Sequence, residues 1–177
     1  MVCVSFDAML PLFMLSLGVL CSDIEIYSSG IRLASSVNGI IAIGKIYGNV
    51  AILSPSEPKV PKHFQWHTNP VISLAFSDDG CVLYSGAYSR DFQAHDTTTW
   101  ECIFFCTVNS RGETPRFIVA SGDEIAVGCE QSSVVILNAS NGVAISEMTK
   151  IRECTNAACL IPGEIDVIRQ FRNSFGI

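Results

Sequence analysis

Short apolar runs alternate with polar turns along most of the chain. In the stretch "HTNPVISLAFSDDGCVLYSGAYSRDFQAHD", from His67 to Asp96, two apolar runs flank the residues Asp78, Asp79 and Gly80. Apolar runs of four to eight residues, rich in β-branched and aromatic side chains and bounded by Gly, Asp and Ser, are typical of strands joined by tight turns. The pattern predicts an antiparallel strand pair.

The same pattern recurs with a spacing of 42 residues. Each copy has a turn glycine, an apolar run, a central glycine and a second apolar run that begins six residues later. The turn glycines are Gly39, Gly80 and Gly122, the central glycines are Gly44, Gly86 and Gly128, and the second runs include Val50, Phe92 and Val134. We interpret the central glycines as strained turn positions between strands. Because alternation within the runs is weak, the strands are expected to be covered on both faces.

A repeat of this length matches a four-stranded propeller blade of WD-repeat type. We therefore predict an all-β fold of WD-repeat-type β-propeller blades, an incomplete propeller of about three to four blades over residues 1–145. Residues 146–177 are predicted to be a C-terminal extension with a short amphipathic helix around Ile165, Ile168 and Phe171. An open array of this kind is expected to expose apolar faces on its terminal blades.

The N-terminal segment permits two interpretations. "VCVSFDA" and "SDIEIYS" parallel "VISLAFSDD" and "RDFQAHD" of the middle copy, which favours a diverged opening blade. Residues 8–20 are also an uncharged apolar run, too short to span a bilayer, which needs about 20 residues. They could be the apolar region of a signal peptide, although no Lys or Arg precedes them.

The middle copy resembles the WD-repeat family. His67 occupies the place of the family's Gly-His histidine, and His95-Asp96 falls where Trp-Asp closes the unit. The resemblance implies a hydrogen-bonded tetrad of that His, a strand Ser, a turn Asp and the Trp. Ser85 fits, but Ser89 stands at the Asp position and His95 at the Trp position. We therefore expect the tetrad to be broken in every copy and blade stability to rest on burial.

"FQWHTNPVISLAFSDDGCVLYSGA" is similar to the core of the WD repeat-containing protein 75 subfamily, although Ala87-Tyr88-Ser89-Arg90 stands where that subfamily has an acidic residue shortly after its Ser-Gly-Gly. The resemblance implies a non-catalytic scaffold of the small-subunit processome, acting in ribosomal RNA transcription and processing in the nucleolus. It also implies processome subunits as protein partners, no membrane, and pre-ribosomal RNA reached only indirectly. Another chain would be needed to complete the ring. The alternatives are an adaptor of another cytosolic or nuclear complex and a secreted or membrane-associated protein led by residues 8–20.

Charge and candidate chemistry agree with a scaffold. The formal net charge is −6, and basic residues gather only at the C-terminal end, at Lys150, Arg152, Arg169 and Arg172. Direct binding of nucleic acid would require a concentrated basic surface. No nucleophile elbow or phosphate-binding glycine loop is present in the sequence. We therefore predict no enzyme activity and no cofactor.

Eight cysteines lie mostly within apolar runs, which favours free thiols in a reducing compartment. The pairs Cys102/Cys106, Cys154/Cys159 and His63/His67 have zinc-like residue types. However, "CIFFC" is predicted to be a strand, which would hold its two thiols about 13 Å apart. We predict no metal site.

Two aromatic residues are the candidates for contact with a partner. Trp66 and Trp100 are either exposed interaction anchors or packing residues at the blade edge, and the second interpretation is favoured.

Overall fold

The computed structural model describes residues 32–108, 111–130 and 133–149, and these form twelve strands and no helix. Blade 1 consists of β1 (Arg32–Ser35), β2 (Ile41–Gly44), β3 (Asn49–Ser54) and β4 (Glu57–Gln65). Blade 2 consists of β5 (Val71–Phe76), β6 (Val82–Ala87), β7 (Asp91–Asp96) and β8 (Cys102–Thr107). Blade 3 consists of β9 (Pro115–Ser121), β10 (Glu124–Cys129), β11 (Val134–Asn138) and β12 (Ala144–Met148).

Each blade is an antiparallel meander whose strands pair in chain order. Contacts between blades run through the first strands, from β1 to β5 and from β5 to β9. The last strands, β4, β8 and β12, are mostly exposed. This arrangement is that of successive propeller blades, with the first strand innermost and the fourth outermost. The predicted all-β, incomplete propeller is confirmed.

The predicted turn glycines are confirmed by their backbone conformation. Gly39, Gly80 and Gly122 have φ of 77°, 73° and 55° in the β1–β2, β5–β6 and β9–β10 turns. Glycine adopts this left-handed region without the steric cost that a Cβ brings. The 42-residue repeat therefore reflects a repeated backbone conformation.

Two apolar layers hold the blades together. Between blades 1 and 2, Val50 and Ile52 pack with Val71 and Leu83. Between blades 2 and 3, the core includes Tyr84, Phe92, Ile125, Val135 and Leu137. The four residues of β2 are all buried, as are the first four of β11, so the expected burial on both faces is found there. Each fully buried Val, Leu, Ile or Phe side chain contributes roughly 1.5–3 kcal/mol.

The faces of blades 1 and 3 that point away from blade 2 are also buried. On blade 1, Ile41, Ile43, Ala51 and Leu53 alternate with the residues that contact blade 2, and each is only 2–3% exposed. On blade 3, Ala126, Val134 and Ile136 form a separate buried cluster with Phe117 and Met148. The expectation that the terminal blades expose apolar faces is therefore wrong for the described residues. The apolar residues on these faces are covered in the fold and do not form an exposed patch.

Several predictions lie outside the described residues. They are the opening blade or signal segment, the C-terminal helix and the Cys154/Cys159 pair. β12 ends at Met148, three residues beyond the predicted boundary at 145.

Candidate interaction surfaces and the buried polar network

A buried hydrogen-bond network crosses blade 2. His67 Nε2 lies 2.8 Å from Ser85 Oγ. The Gln93 amide nitrogen donates to Trp66 O at 2.8 Å and lies 3.4 Å from His67 Nδ1, and its oxygen lies 3.0 Å from His95 Nε2. Because an amide NH₂ faces Nδ1, that nitrogen accepts, and Nε2 of His67 carries the proton donated to Ser85.

The network corrects one prediction from the sequence. Two expected tetrad members, His67 and Ser85, do contact each other, and Gln93 links His67 to His95. The four-residue tetrad is broken in blade 2 as expected, because Ser89 donates to Asp91 and His95 is linked to His67 through Gln93. The expectation that blade stability rests on burial alone is wrong for blade 2, where His67 bonds Ser85. No sequence motif marks Gln93, because its neighbours in space come from β6 and from the β4–β5 loop. Ser89, at the expected Asp position, instead donates to Asp91 in the β6–β7 turn.

Both histidines of the network are neutral at physiological pH. Each is 2% exposed. Burial lowers the pKa of His67 to about 4, with Asp91 partly opposing the shift. Burial also lowers the pKa of His95 to about 4, with the nearby Trp100 backbone partly opposing the shift. Groups with this pKa are not suited to proton transfer near pH 7, so the network is structural.

An aromatic cluster covers the network. The Trp66 ring stacks on His95 with centroids 3.7 Å apart and planes 10° apart. The ring centroid of Phe64 lies 5.2 Å from that of Trp66, and the ring centroid of Trp100 lies 6.2 Å from that of Trp66. Both tryptophans pack against the core between blades 1 and 2. Trp100 also borders a cleft of about 190 Å³ together with Ile40 and Val60, so its edge remains accessible.

The central glycines are not turn residues. Gly44, Gly86 and Gly128 lie within β2, β6 and β10, and none has a positive φ. The interpretation of these glycines as strained turn positions is wrong. A side chain is excluded there because atoms of neighbouring strands lie too close to the glycine. A Cβ on Gly86 would lie 2.7 Å from Pro115 Cγ and would also clash with Ser73 Oγ.

The other two central glycines are crowded in the same way. A Cβ on Gly44 would lie 2.6 Å from Val71 Cγ1, and one on Gly128 would overlap the Phe117 ring. For Gly44 and Gly86 the crowding side chains include one from the next blade. These glycines therefore recur because neighbouring strands approach closely at each of their positions.

Asp96 organises the β7–β8 turn. Its Oδ1 accepts hydrogen bonds from the backbone N–H groups of Thr98 and Thr99, each at 2.8 Å. These bonds lower the pKa of the Asp96 carboxyl. The residue therefore stays negatively charged at a turn that faces solvent.

One end of the blades, which we call the acidic end, carries only negative charge in its described turns. Hydrogen bonds join the turns of successive blades here, from Asn38 to the Asp79 carbonyl and from Gly122 N to the Asp78 carboxylate. The described turns at this end and the one strand residue on either side of each turn contain no Lys, Arg or His. Lys62 of β4 lines the cleft that Glu57 and Thr98 border at this end. The acidic residues are Glu57, Asp78, Asp79, Asp96, Glu101, Asp123 and Glu124.

The opposite end has a mixed, aromatic character. Tyr47 and Tyr88 are 76% and 55% exposed in the β2–β3 and β6–β7 turns. Lys45, Arg90 and Arg111 lie in the turns and loops of this end. The two ends of the blades therefore differ in charge, which the total of −6 does not reveal.

The described residues contain no group of three or more His, Cys, Asp and Glu side chains placed to hold a metal ion. His63 is exposed on β4, whereas His67 is buried. Cys102 and Cys106 lie on one strand, β8, as predicted, and both are free. Across the described ranges there is also no helix with the length and apolar character that spanning a membrane requires.

Comparison with known proteins establishes the fold alone. BamB from Moraxella catarrhalis is 15% identical, with a TM-score of 0.56 over 67% of this chain and 34% of that one. A chain of the mitotic checkpoint complex is 19% identical, with a TM-score of 0.58 over 66% and 37%. The computationally designed Ika4 protein is 17% identical, with a TM-score of 0.60 over 71% and 76%.

The structure and these similarities define a β-propeller-type protein. The chain spans about a third of the length of the first two similar structures. No protein-family model matches the sequence, and no curated protein matches it significantly. The resemblance to WD repeat-containing protein 75 therefore stays a prediction from the quoted motifs.

Proposed function

We propose that this protein is a protein-interaction scaffold that docks basic partner surfaces on its acidic end. The observation that carries the proposal is the presence of seven acidic residues in and beside turns from all three described blades, against the single lysine, Lys62, that lines the described cleft beside Glu57. Blades held by two apolar layers present these turns in a fixed arrangement. Complementary charge steers encounter and selects partners more than it adds affinity.

The cellular setting that we propose is the small-subunit processome in the nucleolus. It rests on the resemblance of "FQWHTNPVISLAFSDDGCVLYSGA" to the WD repeat-containing protein 75 subfamily. Proteins that handle RNA carry basic surfaces, which an acidic end would attract. The same end repels phosphates, so pre-ribosomal RNA would associate through the bound proteins. No catalytic step is assigned to the chain.

Affinity purification of the tagged protein from growing cells tests the proposal. We expect processome subunits and pre-ribosomal RNA to be recovered with the wild type. The variant Glu57→Gln/Glu101→Gln removes two charges from the acidic end and should reduce that recovery.

The matched control is Glu130→Gln/Glu147→Gln, which removes acidic side chains elsewhere. These side chains pair with Arg116 and Arg111, and exposed pairs of this kind contribute only about 0–1 kcal/mol. Equal loss of partners in both variants would contradict the role of the acidic end. Recovery of an unrelated assembly would favour the second candidate, an adaptor of another complex.

Imaging with a C-terminal tag tests the proposed localisation separately. Nucleolar signal is expected, whereas retention in the secretory pathway would contradict both scaffold proposals. The purified chain alone should bind RNA no more tightly than about 10⁻⁴–10⁻⁶ M at physiological salt.

A further inference from the structure

The outer strand of blade 2 has an exposed apolar surface. In β8 (Cys102–Thr107), Phe105 is 59% exposed and Ile103 is 45% exposed. Phe104 and Cys106 face the other way and pack against the core between blades 2 and 3. β8 is hydrogen-bonded to β7 on one side and, among the described residues, is the last strand of its sheet. Its outer edge is therefore available to pair with another strand.

The outer strands of the other two blades carry features that discourage such pairing. β4 contains two prolines and two lysines in the segment "EPKVPKHFQ", and β12 contains Glu147. Prolines and charges are the usual protections of an edge strand. β8 has the sequence "CIFFCT", without charge or proline. All three outer strands share a register shift against their neighbour, so the shift does not distinguish β8.

We propose that β8 is a self-association edge that pairs antiparallel with β8 of a second copy of this chain. A two-fold axis at Phe104 places Ile103 of one copy opposite Phe105 of the other, and Cys102 opposite Cys106. Pairs of an aromatic and a β-branched side chain across strands are favourable. The two exposed apolar residues of β8, Ile103 and Phe105, are complementary to themselves about this axis, which favours a second copy, and an uncharged strand sets no like charges opposite each other. A two-fold contact is also closed, so the product is a dimer.

Sedimentation velocity over about 5–500 μM tests the self-association, since a contact of this small size is expected to be weak and concentration-dependent. The wild type should form a dimer, and Phe105→Lys should raise the dimer dissociation constant by about tenfold or more. Tyr88→Lys is the control, because Tyr88 is a similarly exposed aromatic side chain at another site. Unchanged thermal unfolding midpoints would show that both variants are folded.

Mild oxidation tests the geometry. Residues four apart on one strand are about 13 Å apart, beyond the Cα separation that a disulfide allows. A disulfide between Cys102 and Cys106 must therefore join two chains, and mixing ¹⁴N- and ¹⁵N-labelled protein followed by peptide mapping identifies it. We expect this cross-link in the wild type and its loss in Phe105→Lys.

Two outcomes would overturn the proposal. They are a monomer at all concentrations and a dimer that persists in Phe105→Lys. Capture of β8 by a different protein, with no self-association, counts as the first of these.

Discussion

The neutral histidine His67 should make stability depend on pH in a window that the structure defines. Its pKa is about 4 in the folded protein, against 6.5 for an ordinary histidine. Between these values the unfolded chain binds a proton that the folded chain does not, so stability falls as the pH is lowered. This pKa difference lowers the free energy of unfolding by about 3 kcal/mol once the pH is below both pKa values, and by about 2 kcal/mol at pH 5.

Urea unfolding at pH 7 and pH 5 measures this loss. The chain has three histidines, so the titration can be assigned by substitution. His67→Asn should be less stable than the wild type at pH 7, because a buried network is broken. It should lose less stability than the wild type between pH 7 and pH 5, by about 2 kcal/mol.

His63→Asn is the matched control, since His63 is exposed on β4. Partial burial and the nearby Lys45 also lower the pKa of His63, so His63→Asn should remove a smaller part of the pH dependence than His67→Asn does. A His67→Asn variant with the full wild-type pH dependence would refute the reasoning, because it would show that His67 is not the neutral, buried group described here.

Two further substitutions test the packing between blades 2 and 3. Gly86→Val should cost about 1–3 kcal/mol by overpacking against Pro115 and Ser73, measured by thermal unfolding, while Tyr88→Val at an exposed turn should change little. An unchanged midpoint for Gly86→Val would show that the strands do not approach closely at this glycine. Ser73→Ala should cost about 1–3 kcal/mol, because the buried Pro115 carbonyl loses the hydroxyl that donates to it at 2.8 Å. A loss no greater than that of Ser56→Ala, an exposed serine, would argue against this hydrogen bond between blades.

Much of the fold was accessible from the sequence because turn chemistry is local. Gly39, Gly80 and Gly122 have the left-handed backbone that their place before each apolar run predicted. Their spacing, together with apolar runs of strand length, was sufficient to define a blade.

What the sequence missed depends on contacts between segments that are far apart in the chain. Local rules associate glycine with positive φ and therefore predicted a turn at Gly86. Glycine is needed at this position instead because Pro115 of the next blade lies too close for a side chain. Gln93 belongs to no sequence motif. It joins the hydrogen-bond network because the fold places β7 next to the β4–β5 loop. The acidic end was equally hidden, since its residues are spread over 68 positions, from Glu57 to Glu124, and meet only in the folded blades.

The central claim is that three equivalent blades form one packed array. Hydrogen–deuterium exchange of the intact protein tests it most directly, because it reports local opening strand by strand. We expect the slowest exchange in the middle strands of each blade, β2–β3, β6–β7 and β10–β11, and faster exchange in β4, β8 and β12. Protection in one blade with unprotected middle strands in another would contradict the account, since it would show that the 42-residue units do not fold as a single array.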